Sequence, residues 1–148
     1  MKTLVLGVGN LLLKDEGVGI HVIKALENEE LPPGVTLMDG GTGGLHLISW
    51  LQGYDRIIMV DATLDDNPPG TIRVIRPRYA SDFPHLMSAH EIGIRDMIEA
   101  MSLSGDLPDI ELIVITAANV SEVGMELTPE IQKAVPVVAG MIKDYFKA

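Results

Sequence analysis

The sequence predicts one α/β domain over residues 1–148, a mainly parallel sheet with helices on both faces. Three observations lead there. Short apolar, partly β-branched runs alternate with stretches in which apolar residues recur every three or four positions. Strands separated by helices pair in parallel, with the crossovers covering the sheet. A length of 148 residues suits one hydrophobic core, and 47% hydrophobic against 22% charged residues is a globular balance.

Lys2 to Val8 reads as a buried first strand. Val18, Val22, Ala25 and Leu26 share one helical face, which predicts a helix over about Gly17 to Asn28. Pro32-Pro33-Gly34 is a turn, and Val35 to Met38 a short second strand ending at Asp39. Gly40-Gly41-Thr42-Gly43-Gly44 reads as a flexible loop, because glycine leaves the backbone the most freedom. A short helix, Leu45 to Gln52, follows. Arg56 to Val60 is a third strand, again ending at an aspartate, Asp61. Pro68-Pro69-Gly70 turns the chain into a fourth strand, Thr71 to Ile75, which the turn allows to be antiparallel. Ser88-Ala89-His90-Glu91 matches a capping box, with Ser88 as N-cap and Glu91 three residues on, ahead of the apolar face Ile94, Met97, Ile98 and Met101. Ile110 to Ile115 is a fifth strand. Thr128-Pro129 opens the last helix with an N-cap and a proline at its first position. Ile131, Val135, Val138, Ile142 and Tyr145 form its stripe, and Pro136 is expected to kink it.

Composition narrows the function. With 21 acidic and 11 basic residues the net charge is −10, which repels phosphate backbones and anionic lipid. Nucleic acid and membrane are therefore not expected as partners, whereas a basic protein face is. The absence of cysteine excludes disulfides, thiolate nucleophiles, iron–sulfur clusters and Cys-rich zinc sites. A metal would have to be held by carboxylate and imidazole. Gly9-Asn10 and the charged Lys14-Asp15-Glu16 break the first apolar run, so a signal peptide is not expected and the reading is cytoplasmic.

Ligands of open α/β sheets bind beyond the carboxyl ends of the strands. Three such ends carry acids: Gly7 to Glu16, Asp39-Gly40-Gly41, and Asp61-Ala62. A dinucleotide fingerprint fails, because Leu12 stands where its third glycine belongs. Of the four histidines, His21 shares a helix face with Lys24 and Asn28 and reads as solvated, His46 follows the glycine loop, and His85 reads as exposed. His90 falls at the second position of a capped helix, where the positive dipole end favours the neutral, metal-binding imidazole. Glu16, Asp61 and His90 together make two carboxylates and one imidazole, a set suited to nickel or zinc. Their separations form no local motif. A structural histidine and plain turn aspartates remain the alternative.

At these residues the chain resembles a known family. Gly7-Val8-Gly9-Asn10-Leu11-Leu12-Leu13-Lys14-Asp15-Glu16-Gly17-Val18-Gly19 is similar to the opening motif of the hydrogenase maturation endopeptidases. Asp39-Gly40-Gly41-Thr42-Gly43-Gly44, Val60-Asp61-Ala62, Ser88-Ala89-His90-Glu91-Ile92-Gly93 and Leu127-Thr128-Pro129-Glu130 resemble its later motifs, in family order over nearly the whole chain. The resemblance implies a twisted five-stranded sheet. It implies hydrolysis of one peptide bond near the carboxyl terminus of the nickel–iron hydrogenase large-subunit precursor, after nickel insertion. Glu16, Asp61 and His90 would then bind metal and carry the reaction. The metal would be the precursor's own nickel, acting as a recognition signal, with no organic cofactor. Asp39, Gly40, Gly41, Thr42 and Gly43 would lie along the substrate tail. No Ser–His–Asp set or H-E-x-x-H helix is evident, so water is the expected nucleophile, with Asp61, Glu16 or Asp39 as candidate bases. A non-enzymatic metal- or nucleotide-binding module, and a related peptidase with another substrate, are the competing readings.

Overall fold

A computed structural model of the chain describes residues 2–41, 53–76, 99, 103, 105 and 108–146. The helix expected over Leu45–Gln52 and the Ser88–Met101 segment, apart from Glu99, lie outside the described residues, as do His46, His85 and His90. The described elements are β1 (Thr3–Val8), a 3-10 turn (Lys14–Gly17), α1 (Val18–Glu27), β2 (Val35–Gly41), β3 (Arg56–Thr63), β4 (Ile72–Ile75), β5 (Asp109–Thr116) and a last helix, here α2 (Pro129–Asp144).

The five strands form one sheet in the order β2-β1-β3-β5-β4. All neighbours are parallel except β4, which runs antiparallel along β5 from Ile72 opposite Ile115 to Ile75 opposite Leu112. The proline turn reverses the chain as its residues suggest: both the amide and the hydroxyl of Thr71 donate to the Pro68 carbonyl. The chain leaves β1 toward β2 on one side and returns to β3 on the other. A crevice therefore opens between the carboxyl ends of β1 and β3, the ligand position of such sheets.

Side-chain alternation along the strands separates two cores. Val5, Ile58, Val60, Ile113 and Ile115 face α1 and α2, packing on Val22, Ile23, Leu26, Ile131, Val138 and Ile142. Leu4, Leu6, Val8, Ile57, Met59, Leu112 and Val114 form the opposite face. Each fully buried Leu or Ile of this kind contributes about 1.5–3 kcal/mol. The stripe of α2 continues through Pro136 within one helix, with Ala134 and Ala139 joining the buried set.

Two strands are longer than local pattern suggests. β2 includes Asp39, Gly40 and Gly41, so the first two of the five residues of the expected glycine loop are sheet. Gly7 pairs with Asp39 and Val8 with Gly41, which makes Gly40 the extra residue of a bulge. Thr42, Gly43 and Gly44 lie outside the described residues. β3 continues past Asp61 to Thr63, and Asp61 pairs with Val114. In both cases neighbouring strands supply the backbone partners that prolong the element, which no local composition reveals.

Candidate functional site at the carboxyl ends of β1 and β3

The connection from β1 to α1 is built around Gly9. Its φ of 133° is open to glycine alone. A Cβ there would stand 1.9 Å from the Glu16 carbonyl oxygen and 3.6 Å from Asp61 Oδ1. Gly9 therefore lets the Glu16 turn and the Asp61 carboxylate close on the same point. Asn10 shapes the next bend, its side-chain oxygen accepting the Leu12 amide at 2.9 Å while its carbonyl accepts the Leu13 amide at 3.1 Å. Helix α1 then descends onto the sheet because Gly7 and Gly19 carry no side chains. A Cβ on Gly19 would lie 2.3 Å from the Val60 carbonyl and 2.8 Å from that of Val8.

Glu16 is 7% exposed and Asp61 wholly buried. Burial raises the Glu16 pKa above the ordinary 4.5, since desolvation disfavours the carboxylate. Asp61 Oδ1 accepts the Ala62 amide at 2.8 Å. Asp39 is exposed on β2, across β1 from Val60, since both pair with Gly7. Two strand spacings put these backbones about 10 Å apart. Among the described residues no three carboxylate or imidazole side chains gather as a metal-binding group. His90, the expected third member, lies outside them, together with Thr42 and Gly43.

Asp15 is the residue that sequence reasoning missed. It is fully buried beside Glu16. Its Oδ2 accepts the amides of Ala118 at 2.9 Å and Asn119 at 2.8 Å, and its Oδ1 the amide of Thr128 at 2.8 Å. The Thr128 hydroxyl lies 2.8 Å from Oδ2 and 3.1 Å from Oδ1. Thr128 stands at the N-cap with Pro129 behind it, as expected, but its side chain makes no cap bond to α2 and its hydroxyl serves Asp15 instead. The available signal was a run of charges, Lys14-Asp15-Glu16, between apolar Leu11–Leu13 and Val18–Ile20. A charge placed in such a connection needs buried donors.

His21 also departs from expectation. It is half-buried, with Nε2 3.1 Å from the Met125 carbonyl, and it lines a cleft of about 420 Å³ with Met125, Glu126, Leu127 and Gln132. Desolvation lowers its pKa, with Lys24 adding to the effect and the Met125 bond opposing it. The cause is the returning 118–128 segment, which covers a helix face that looks solvated in isolation.

The comparisons with known proteins agree with this fold. The family model described as hydrogenase maturation protease matches residues 20–145. The chain belongs to the hydrogenase maturation protease family. Hydrogenase 2 maturation protease of Escherichia coli (strain K12) is 35% identical over 135 residues, spanning 89% of this chain and 82% of that protein. Hydrogenase expression/formation protein HupD of Rhizobium leguminosarum bv. viciae is 33% identical over 139 residues, covering 91% and 69%. The solved hydrogenase maturating endopeptidase HybD from E. coli superposes with a TM-score of 0.86 at 32% identity, covering 96% of this chain and 90% of that one. As a hydrogenase maturation protease the chain is a peptide-bond hydrolase. The nucleotide-module alternative is not favoured: the β1–α1 connection, where a pyrophosphate would sit, holds the buried carboxylic residues Asp15 and Glu16.

Proposed function

We propose that this protease removes the carboxyl-terminal peptide of a nickel–iron hydrogenase large-subunit precursor after nickel insertion, working in the cytoplasm. The observation that carries the reading is the placement of Glu16 and Asp61. Both acids are buried by the carboxyl ends of β1 and β3, with the Glu16 backbone and the Asp61 carboxylate both close to Gly9, and desolvation raises the Glu16 pKa. A cation offsets the cost of burying carboxylate charge. In this reading the cation is the nickel already bound to the precursor, so it belongs to the substrate. Hard carboxylate oxygens joined by the His90 imidazole suit nickel in donor type.

Within the protease, Glu16 and Asp61 receive the metal-bearing end of the substrate. A carboxyl with a raised pKa is also suited to take a proton from water and return it to the leaving amine. Asp39, with Gly40 and Gly41 on the bulged end of β2 and Thr42 and Gly43 beyond, lines the path of the extended tail. The bound nickel supplies Lewis acidity at the docking point.

The test is incubation with the large-subunit precursor, with and without nickel loading, followed by mass measurement of both fragments. One cut near the carboxyl terminus of the loaded form alone is expected. Equal cleavage of nickel-free precursor would remove nickel recognition from the reading.

A further inference from the structure

We infer that Asp15 is a positioning residue for Glu16, fastening the turn that carries it to the 118–128 segment. The inference rests on the reading above that Glu16 is part of the site.

Asp15 itself is unsuited to meet substrate. Three backbone amides and one hydroxyl, from Ala118, Asn119 and Thr128, converge on its two oxygens, which have about four acceptor positions between them. It is fully buried. What it does instead is hold. Its donors come from positions 103 to 113 residues away, at the end of β5 and the start of α2. The same two segments are laced along their backbones. The Asp15 amide donates to the Asn119 carbonyl at 3.0 Å, the Lys14 amide to the Gly124 carbonyl at 2.8 Å, and the Gly124 amide to the Leu12 carbonyl at 2.7 Å. Lys14 adopts a φ of 47°, a left-handed conformation that a lysine holds only where its surroundings impose it. Outside, Lys14 pairs with Glu122 at 3.2 Å.

Locally Glu16 is held by a backbone bond, its amide donating to the Leu13 carbonyl at 3.1 Å. It sits in a four-residue turn without a side-chain cap, and the long-range contacts of Leu12, Lys14 and Asp15 fasten the chain just ahead of it. Removing charge from Asp15 would turn one accepting oxygen into an amide donor facing the amides it now receives. The turn would shift, and the Glu16 carboxyl with it.

The experiment uses the full chain and nickel-loaded precursor, with Asp15→Asn, Asp15→Glu, Thr128→Val, Thr128→Ser and Glu16→Gln measured side by side, well below the melting temperature of each. Positioning predicts that folded Asp15→Asn loses at least about 100-fold in kcat, with any rise in KM no larger than that of Glu16→Gln, since it acts by misplacing that group. Thr128→Val, which deletes only the hydroxyl, should lose about three- to tenfold in kcat, and Thr128→Ser should restore it. A folded Asp15→Asn with near-normal kcat overturns the inference. So does a Thr128→Val loss that Thr128→Ser fails to recover, which also decides the matter if Asp15→Asn does not fold. Normal cleavage by Glu16→Gln would instead sink the reading of Glu16, and this inference with it. Loss in Glu16→Gln beside normal rates in the Asp15 and Thr128 variants overturns the positioning role alone.

Discussion

Burial makes the charge of Glu16 costly to the fold. Its folded pKa lies above the ordinary 4.5, so at neutral pH its charge costs folding free energy. As pH falls through the raised value the folded state takes up the proton first and that cost disappears. Below the unfolded value both states are protonated and the difference is gone. Glu16→Gln should therefore melt higher than the parent by roughly 1–3 °C at neutral pH, with the gain fading toward pH 4. The same variant should lose about 100-fold or more in precursor cleavage. Thermal melts across pH, paired with cleavage assays, check both; a lower melting temperature at neutral pH would contradict the argument. Gly9 is the opposite case, a residue whose lack of a side chain is structural. Gly9→Ala meets two costs at once, a φ of 133° and a backbone oxygen 1.9 Å from the new carbon. A loss of about 3–5 kcal/mol in denaturant unfolding is expected.

The elements have separate tasks at their two ends. The carboxyl ends of β1 and β3 carry the candidate site, while the amino ends of β3 and β5 carry a clamp. Glu111, 1% exposed on β5, pairs with Arg56 at 2.9 Å and with Arg76 at 3.0 Å. The Arg56 guanidinium lies 4.9 Å from the centre of the Tyr145 ring, next to the end of α2. Desolvation first, and then the nearby Glu111 carboxylate, raise the Tyr145 pKa. Truncating one partner of such a buried pair leaves the other charge uncompensated, so Glu111→Ala should cost about 3 kcal/mol. Because the cluster lies at the far end of the strands, kcat on the precursor should stay within about twofold of the parent. Urea unfolding and steady-state cleavage on one preparation separate the effects. A large fall in kcat at unchanged fold would show that the two ends are coupled.

At the scale of the whole molecule, charge is the dominant property. A net charge of −10 on 148 residues creates a field that speeds encounter with a basic surface and slows it with an acidic one. If the precursor docks through a basic face, raising salt from about 0.05 to 0.5 M should lower kcat/KM by roughly tenfold with kcat little changed, because screening acts on encounter. A flat salt response would assign docking to apolar and metal contacts alone. Among the described residues no helix is long and apolar enough to cross a membrane.

The strands, both described helices and their order follow from sequence because their causes are local. Apolar runs such as Thr3–Val8 bury themselves wherever a sheet forms, and the stripe Ile131–Val138–Ile142 marks one helix face. That Asp39 and Asp61 stand toward the carboxyl edge of the sheet was legible too, although β2 and β3 run on past them to Gly41 and Thr63. Tertiary structure decided what depends on distant partners. Asp39, Gly40 and Gly41 are strand only because β1 pairs with them. His21 is half-buried only because Met125 returns across α1. Asp15 is an anchor only because Ala118, Asn119 and Thr128 arrive more than 100 residues later with donors for its carboxylate. No spacing rule encodes such meetings. A buried charge states in sequence that it must be satisfied, and only the folded chain determines by which groups.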